Sequence, residues 1–179
     1  MKTAMFNLMM AIGFLVCFSS AGYGSNVKLA SSDVAVITAL DESESRLLVN
    51  FDLPELPEGH GVYYADITFH VPGLGHMQEL ELFEAGTAWT GTTAKWEEPW
   101  TSPGGDLRND RIGCWISDNR TGEMVKFVVT ESVSRLASGA QANYGFIILF
   151  SHEDRQKLQS PEESPVLTIY SGLPRRLER

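Results

Sequence analysis

Several short stretches of this chain alternate apolar and polar residues with a period of two, the pattern of strands that bury one face. Across residues 45–52, Leu47, Val49 and Phe51 share one face. Across 62–71, Ala65, Ile67, Phe69 and Val71 point one way and Tyr64, Asp66, Thr68 and His70 the other. Residues 33–40, 78–84, 123–129 and 166–170 carry weaker versions of the same alternation. Residues 144–150 are continuously apolar through Phe146, Ile147, Ile148, Leu149 and Phe150. That run is too short for a typical helix and predicts a central strand covered on both faces.

Turn signals separate these stretches. Pro54, Pro57 and Gly59, then Pro72, Gly73 and Gly75, then Pro103, Gly104 and Gly105 interrupt the chain. One short helix is expected at 131–138, with Thr130 capping its start, Val133, Leu136 and Ala137 on one face, and Gly139 ending it. Residues 25–32 read as a polar lead-in, and the tail beyond Tyr170 as a frayed end. Many short strands with almost no helix predict an all-β fold, a sandwich or barrel.

Three blocks resemble the DNRLRE-domain family of secreted β-sandwich modules. They are SRLLVNFDLPELPEG at 45–59, AWTGTTAKWEEPWTSPGGDL at 88–107 and VVTESVSRLASGAQANYGFIIL at 128–149, followed by PVLTIY at 165–170. Together they span nearly all of the chain beyond its leader. The resemblance implies a jelly-roll-like antiparallel β-sandwich with one short helix. It also implies a setting, since such modules are often appended to polysaccharide-degrading enzymes and some bind carbohydrate. No enzyme domain is expected beside the module, and the resemblance carries over no ligand residues.

The beginning of the chain follows a different rule. Lys2 is followed by an apolar stretch from Ala4 to Val16 and then by Ser19, Ser20, Ala21, Gly22 and Gly24. That is the plan of a secretory signal peptide, expected at residues 1–24 with cleavage after Ala21 or Gly24. It is shorter than the roughly 20 apolar residues a membrane-spanning helix needs. Val16 stands before Cys17 where lipid attachment would call for a small residue. Residues 25–179, about 155 in number, suffice for one domain with a substantial core. Loss of Lys2, the only charge in the leader, takes the formal charge from −9 to −10. An acidic domain argues against a nucleic-acid partner. Cys114 remains as the only cysteine beyond the leader, so no intrachain disulfide is expected; between Ile112 and Ile116 it reads as a buried, inert thiol.

Catalytic motifs are missing from the sequence. There is no Gly-x-Ser-x-Gly elbow, and His152-Glu153 lacks the second histidine of a metal-binding helix because Gln156 stands in its place. His60, His70, His76 and His152 are dispersed. Glu97 and Glu98 are adjacent, whereas glycosidase carboxyls must flank a bond at roughly 5–10 Å. The expectation is a protein without catalytic function.

The most suggestive local feature is the gathering of Trp89, Trp96, Trp100 and Trp115 among Lys95, Arg108, Arg111 and Arg120. A flat aromatic ring meets the C–H face of a sugar while polar side chains take its hydroxyls. Trp96 and Trp115 read as buried, Trp89 stands between the two states, and Trp100, beside Pro99, is assigned to the surface. The expected carbohydrate-binding residues are therefore Trp100, Trp89, Arg108 and Arg111. No cofactor is expected, although Asp106, Asp110, Asp118 and Asn119 offer oxygen ligands for a structural calcium ion. The reading is a secreted carbohydrate-binding protein with a polysaccharide or glycan as partner. The alternative is a structural or interaction protein of the cell surface or extracellular matrix, contacting other surface proteins.

Overall fold

A computed structural model describes residues 24–71, 79–116, 123–150 and 163–173. The strands are β1 (Ser25–Ala30), β2 (Asp33–Thr38), β3 (Ser45–Asn50), β4 (Gly61–Val71), β5 (Glu79–Ala85), β6 (Leu107–Ile116), β7 (Glu123–Val128), β8 (Phe146–Phe150) and β9 (Val166–Gly172). The helix α1 (Thr130–Ala137) lies between β7 and β8. Two antiparallel sheets result, one in the order β1-β9-β4-β7 and the other β2-β3-β8-β5-β6. The chain crosses repeatedly from one sheet to the other, so sequential strands are rarely neighbours. That interleaving is the jelly-roll arrangement, with β2 added at one edge by its hairpin to β3.

The main core fills the space between the sheets and is built from the inward set of the predicted alternation. Leu47, Val49 and Phe51 meet Ala65, Ile67 and Phe69 there, with Phe127 stacked against Phe69 at 6.5 Å. The central position of β8 is confirmed. Its Phe146 and Ile148 enter this core while Ile147 and Leu149 join a second cluster on the outer face of the same sheet. A strand buried on both faces has no polar side to show, which is why its sequence is apolar throughout.

Two stretches differ from the sequence reading. Residues 25–30 are not a lead-in but an edge strand, β1, paired with β9 from Ser25↔Ser171 to Ala30↔Val166. Val27 and Leu29 pack inward, yet two apolar residues among polar ones give a weak periodic signal. Residues 107–116, for which the alternation gave no strand, form β6. In β6 the register breaks so that residues 109–112 stand opposite Phe83 alone, between the pairs Glu84↔Arg108 and Leu82↔Gly113. Such an irregularity destroys period-two alternation. It also corrects the expectation for Cys114, which is exposed and opposite Glu81 rather than buried.

α1 begins one residue earlier than expected, and Thr130 does not cap it. Val129 holds the N-cap position, and the Thr130 hydroxyl oxygen instead accepts a hydrogen bond from the Ala65 backbone N–H at 3.0 Å. Val133 and Leu136 are buried as the pattern predicts. Gly139, at φ 71°, turns the chain out of the helix and donates to the Leu136 carbonyl. The expected leader, Asp118, Asn119, Arg120, His76, His152 and the tail from residue 174 lie outside the described residues. Among the described residues, no helix is long and apolar enough to cross a membrane.

Candidate functional site

The tryptophan-rich segment folds back across the outer face of the five-stranded sheet. Trp89 and Trp100 are only 7% and 8% exposed and pack with Ile37, Leu48, Ile147 and Leu149. The placement of Trp100 at the surface is therefore corrected. Its indole N–H donates to the Lys95 carbonyl at 2.7 Å, and that of Trp89 donates to the Tyr144 carbonyl at 2.7 Å. A buried indole needs such a partner, and once it has one the ring is held as core. Trp96 and Trp115 are both half-buried, Trp115 against the main core.

Three devices hold this segment down. The Asp106 carboxylate accepts from the Thr101 backbone N–H at 3.0 Å, the Thr101 hydroxyl at 2.6 Å, the Ser102 backbone N–H at 3.1 Å and the Thr87 hydroxyl. Burial pushes its pKa up, but the hydrogen bonds from Thr101, Thr87 and Ser102 outweigh it and bring the value down to about 2. Arg46 donates to the Gly104 carbonyl at 2.8 Å and lies over the Trp96 ring at 5.1 Å. Gly105, at φ 103°, lets the backbone approach the sheet so closely that a Cβ there would stand 2.8 Å from Ile147 Cδ1.

The four residues expected to bind sugar are not brought together as one site. Trp89 and Trp100 belong to the covered face. Arg108 donates to the Ala142 carbonyl at 3.1 Å and lies over the Tyr144 ring at 5.2 Å. Arg111 pairs with Glu81 at 2.6 Å and Glu79 at 3.1 Å, and its pKa is raised first by the hydrogen bond to Glu81. Of the oxygen ligands considered for calcium, Asp106 is engaged by the donors just described, and Asp110 lines a separate cleft with Arg111. Among the described residues, no group of three or more His, Cys, Asp or Glu side chains could hold a metal ion.

A different surface offers aromatic rings to solvent. On the outer face of the four-stranded sheet, Asn26, Tyr170 and Tyr64 are register neighbours across β1, β9 and β4. Lys28, Thr168 and Asp66 form the next row, which Val128 extends onto β7. The two tyrosine rings lie 5.9 Å apart at 57° to one another, and Tyr170 is 42% exposed. Lys126 reaches over the Tyr64 ring at 5.4 Å and bonds the buried Asp66 carboxylate at 3.0 Å. The Asp66 carboxylate, and after it the Tyr64 side chain, raise the Lys126 pKa, so this ammonium stays charged over the ordinary pH range.

The face thus combines the two rings with the cation of Lys126 and the exposed polar side chains of Asn26 and Lys28, over the buried Asp66 and Thr168. Such a surface can meet an apolar ring face and bond the groups at its rim. The sequence reading assigned Tyr64 to the outward side of its strand. It had no means of placing Tyr170 beside it, because that contact arises from long-range register.

No family model matches the chain, and no curated protein is similar to it. Among solved structures it is similar to the coat protein of Tobacco streak virus, at 12% identity and a TM-score of 0.42, over 90% of this chain and 93% of that one.

Proposed function

We propose that this is an exported, non-catalytic carbohydrate-binding domain whose binding surface is the open face of the four-stranded sheet. The observation that carries the reading is the Tyr64–Tyr170 pair, solvent-reached and flanked by Asp66, Lys126 and Asn26. A polysaccharide chain lying across the strands sets its C–H faces on the tyrosine rings and its hydroxyls against these polar groups. Two further points support it: the apolar leader at the start of the chain, and the resemblance of three sequence blocks to DNRLRE-type modules.

The test is affinity electrophoresis of the protein through gels containing neutral or acidic polysaccharides, with Tyr64→Ala and Tyr170→Ala alongside. Retardation of the wild type on at least one polysaccharide, lost in both variants while their unfolding stays cooperative, is the expected result. Unretarded migration of the wild type on every gel overturns the reading.

One observation favours the alternative of a structural or interaction protein. Among the described residues β7 is an edge strand, and it exposes Met124 at 50% and Val128 at 53%, a surface suited to pairing with a strand of another protein. Concentration-dependent association in the absence of sugar, weakened by Val128→Lys, would mark that role.

A further inference from the structure

A second candidate site lies at the β7–α1 junction, and Val128, which ends the row next to the tyrosines, lines it too. It is a cleft of about 580 Å³ between β5, β6, the β7–α1 junction and the first turns of α1. That volume falls in the range of roughly 300–1,000 Å³ typical of small-ligand sites.

The cleft's charges are interleaved rather than segregated. The guanidinium of Arg135 donates to Glu84 at 2.7 Å and to Glu131 at 2.9 Å, while that of Arg111 is turned to Glu81 and Glu79. Glu84 is deeply buried, and its second oxygen accepts from Gln141. Carboxylates of Glu84, Asp110 and Glu131 therefore stand against the guanidiniums of Arg111 and Arg135, three negative groups to two positive ones, and Arg111 is shared with Glu79 and Glu81 as well. An anion meets a net negative lining, and the carboxylates of Glu84 and Glu131 are already paired with Arg135.

What remains is capacity to form hydrogen bonds. A guanidinium has five N–H donors, and the ion pairs described leave some of them on Arg111 and Arg135 unused. Asp110 and the exposed Glu131 carboxylate keep free lone pairs, and the Thr130 hydroxyl, already accepting from Ala65, has its proton to give. Ile112 and Val128 supply an apolar wall. A hydroxyl both donates and accepts, so a ligand bearing several hydroxyls on a compact carbon ring matches alternating donors and acceptors beside an apolar surface.

We propose that this cleft is a second, independent site that takes a small neutral polyol, a single sugar unit, with Asp110, Glu131, Arg111 and Arg135 as its hydrogen-bonding groups. It does not depend on the tyrosine face, which would grip a chain along its length.

The test is two-dimensional NMR of the labelled protein titrated separately with glucose, galactose, mannose and xylose, and with sodium phosphate. Saturable shifts confined to residues 110–112 and 128–135 with at least one sugar are expected. Asp110→Asn and Arg111→Gln should each weaken that binding by about tenfold, the worth of one hydrogen bond to a charged group. Tyr170→Ala should leave it unchanged. Arg111→Gln also removes the pairs to Glu79 and Glu81, so Asp110→Asn, which breaks no described contact, is the deciding variant. Absence of shifts with all four sugars overturns the proposal. So does saturable binding of phosphate alone, which would make the cleft an anion site.

Discussion

The outer faces of the two sheets have opposite fates. The five-stranded sheet is covered by its own loop, and the tryptophans that look like ligand platforms in the sequence serve as the underside of that cover. The four-stranded sheet carries tyrosines in ordinary strands, and those rings reach solvent. The difference follows from what each face must hide. Leu48, Ile147 and Leu149 point outward from the five-stranded sheet and need an apolar roof, which Trp89 and Trp100 provide. The outward residues of the other sheet are Asn26, Lys28, Asp66 and Thr168, interspersed with tyrosines, and they need none. A cluster of aromatic residues in sequence is therefore a poor guide to a binding surface unless the face beneath it is known.

The largest effect that would break this contrast is on stability. Trp100→Ala should destabilise the fold by about 3 kcal/mol, since it opens a cavity over Leu48 and Ile147, whereas Tyr170→Ala should cost under about 1 kcal/mol. Urea unfolding of both variants checks the difference, and equal losses would dissolve the distinction between the two faces.

Gly105→Ala comes next. It forces a side chain into a left-handed conformation and a Cβ against Ile147, and about 2 kcal/mol of destabilisation is expected, read in the same unfolding assay.

A smaller and pH-dependent effect belongs to Asp106. Its pKa in the folded protein is lowered, from 3.8 to about 2. Its ionised form therefore contributes stability at pH above about 4, and that contribution is lost as pH falls through about 2. Tryptophan emission should shift to longer wavelength over that interval as the cover loosens. Asp106→Asn should show a weakened cover already at neutral pH and a flatter acid response. An unchanged acid profile in this variant would remove Asp106 from the account.

The smallest effect expected on the folded protein is that of Tyr64→Ala. Tyr64 lies on the solvent side of its strand, so its loss should scarcely move the unfolding midpoint while abolishing retention on polysaccharide. Retention that survives this substitution would shift the binding surface elsewhere.

Much of the fold was legible in the chain because its signals were local. Alternation marked β2, β3, β4, β5, β7 and β9, the unbroken apolar run marked β8 as central, and Val133 and Leu136 marked the buried side of α1. β1 was missed because Val27 and Leu29 alone carry its inward face. β6 was missed because residues 109–112 break its register and with it the periodicity. The site was less legible than the fold. Burial of Trp100 depends on a loop returning to Ile147, and the Tyr64–Tyr170 pair depends on β4 lying beside β9. Both are consequences of topology, which the interleaved order of a jelly roll conceals from any local window of sequence.

The measurement that bears most directly on the contrast is NMR mapping of the labelled protein with an oligosaccharide of whichever polysaccharide retards it. The account predicts shifts clustered at Asn26, Lys28, Tyr64, Lys126, Thr168 and Tyr170, with the indole N–H signals of Trp89 and Trp100 unmoved. Shifts centred instead on residues 86–106 would contradict it and return the binding role to the tryptophan segment.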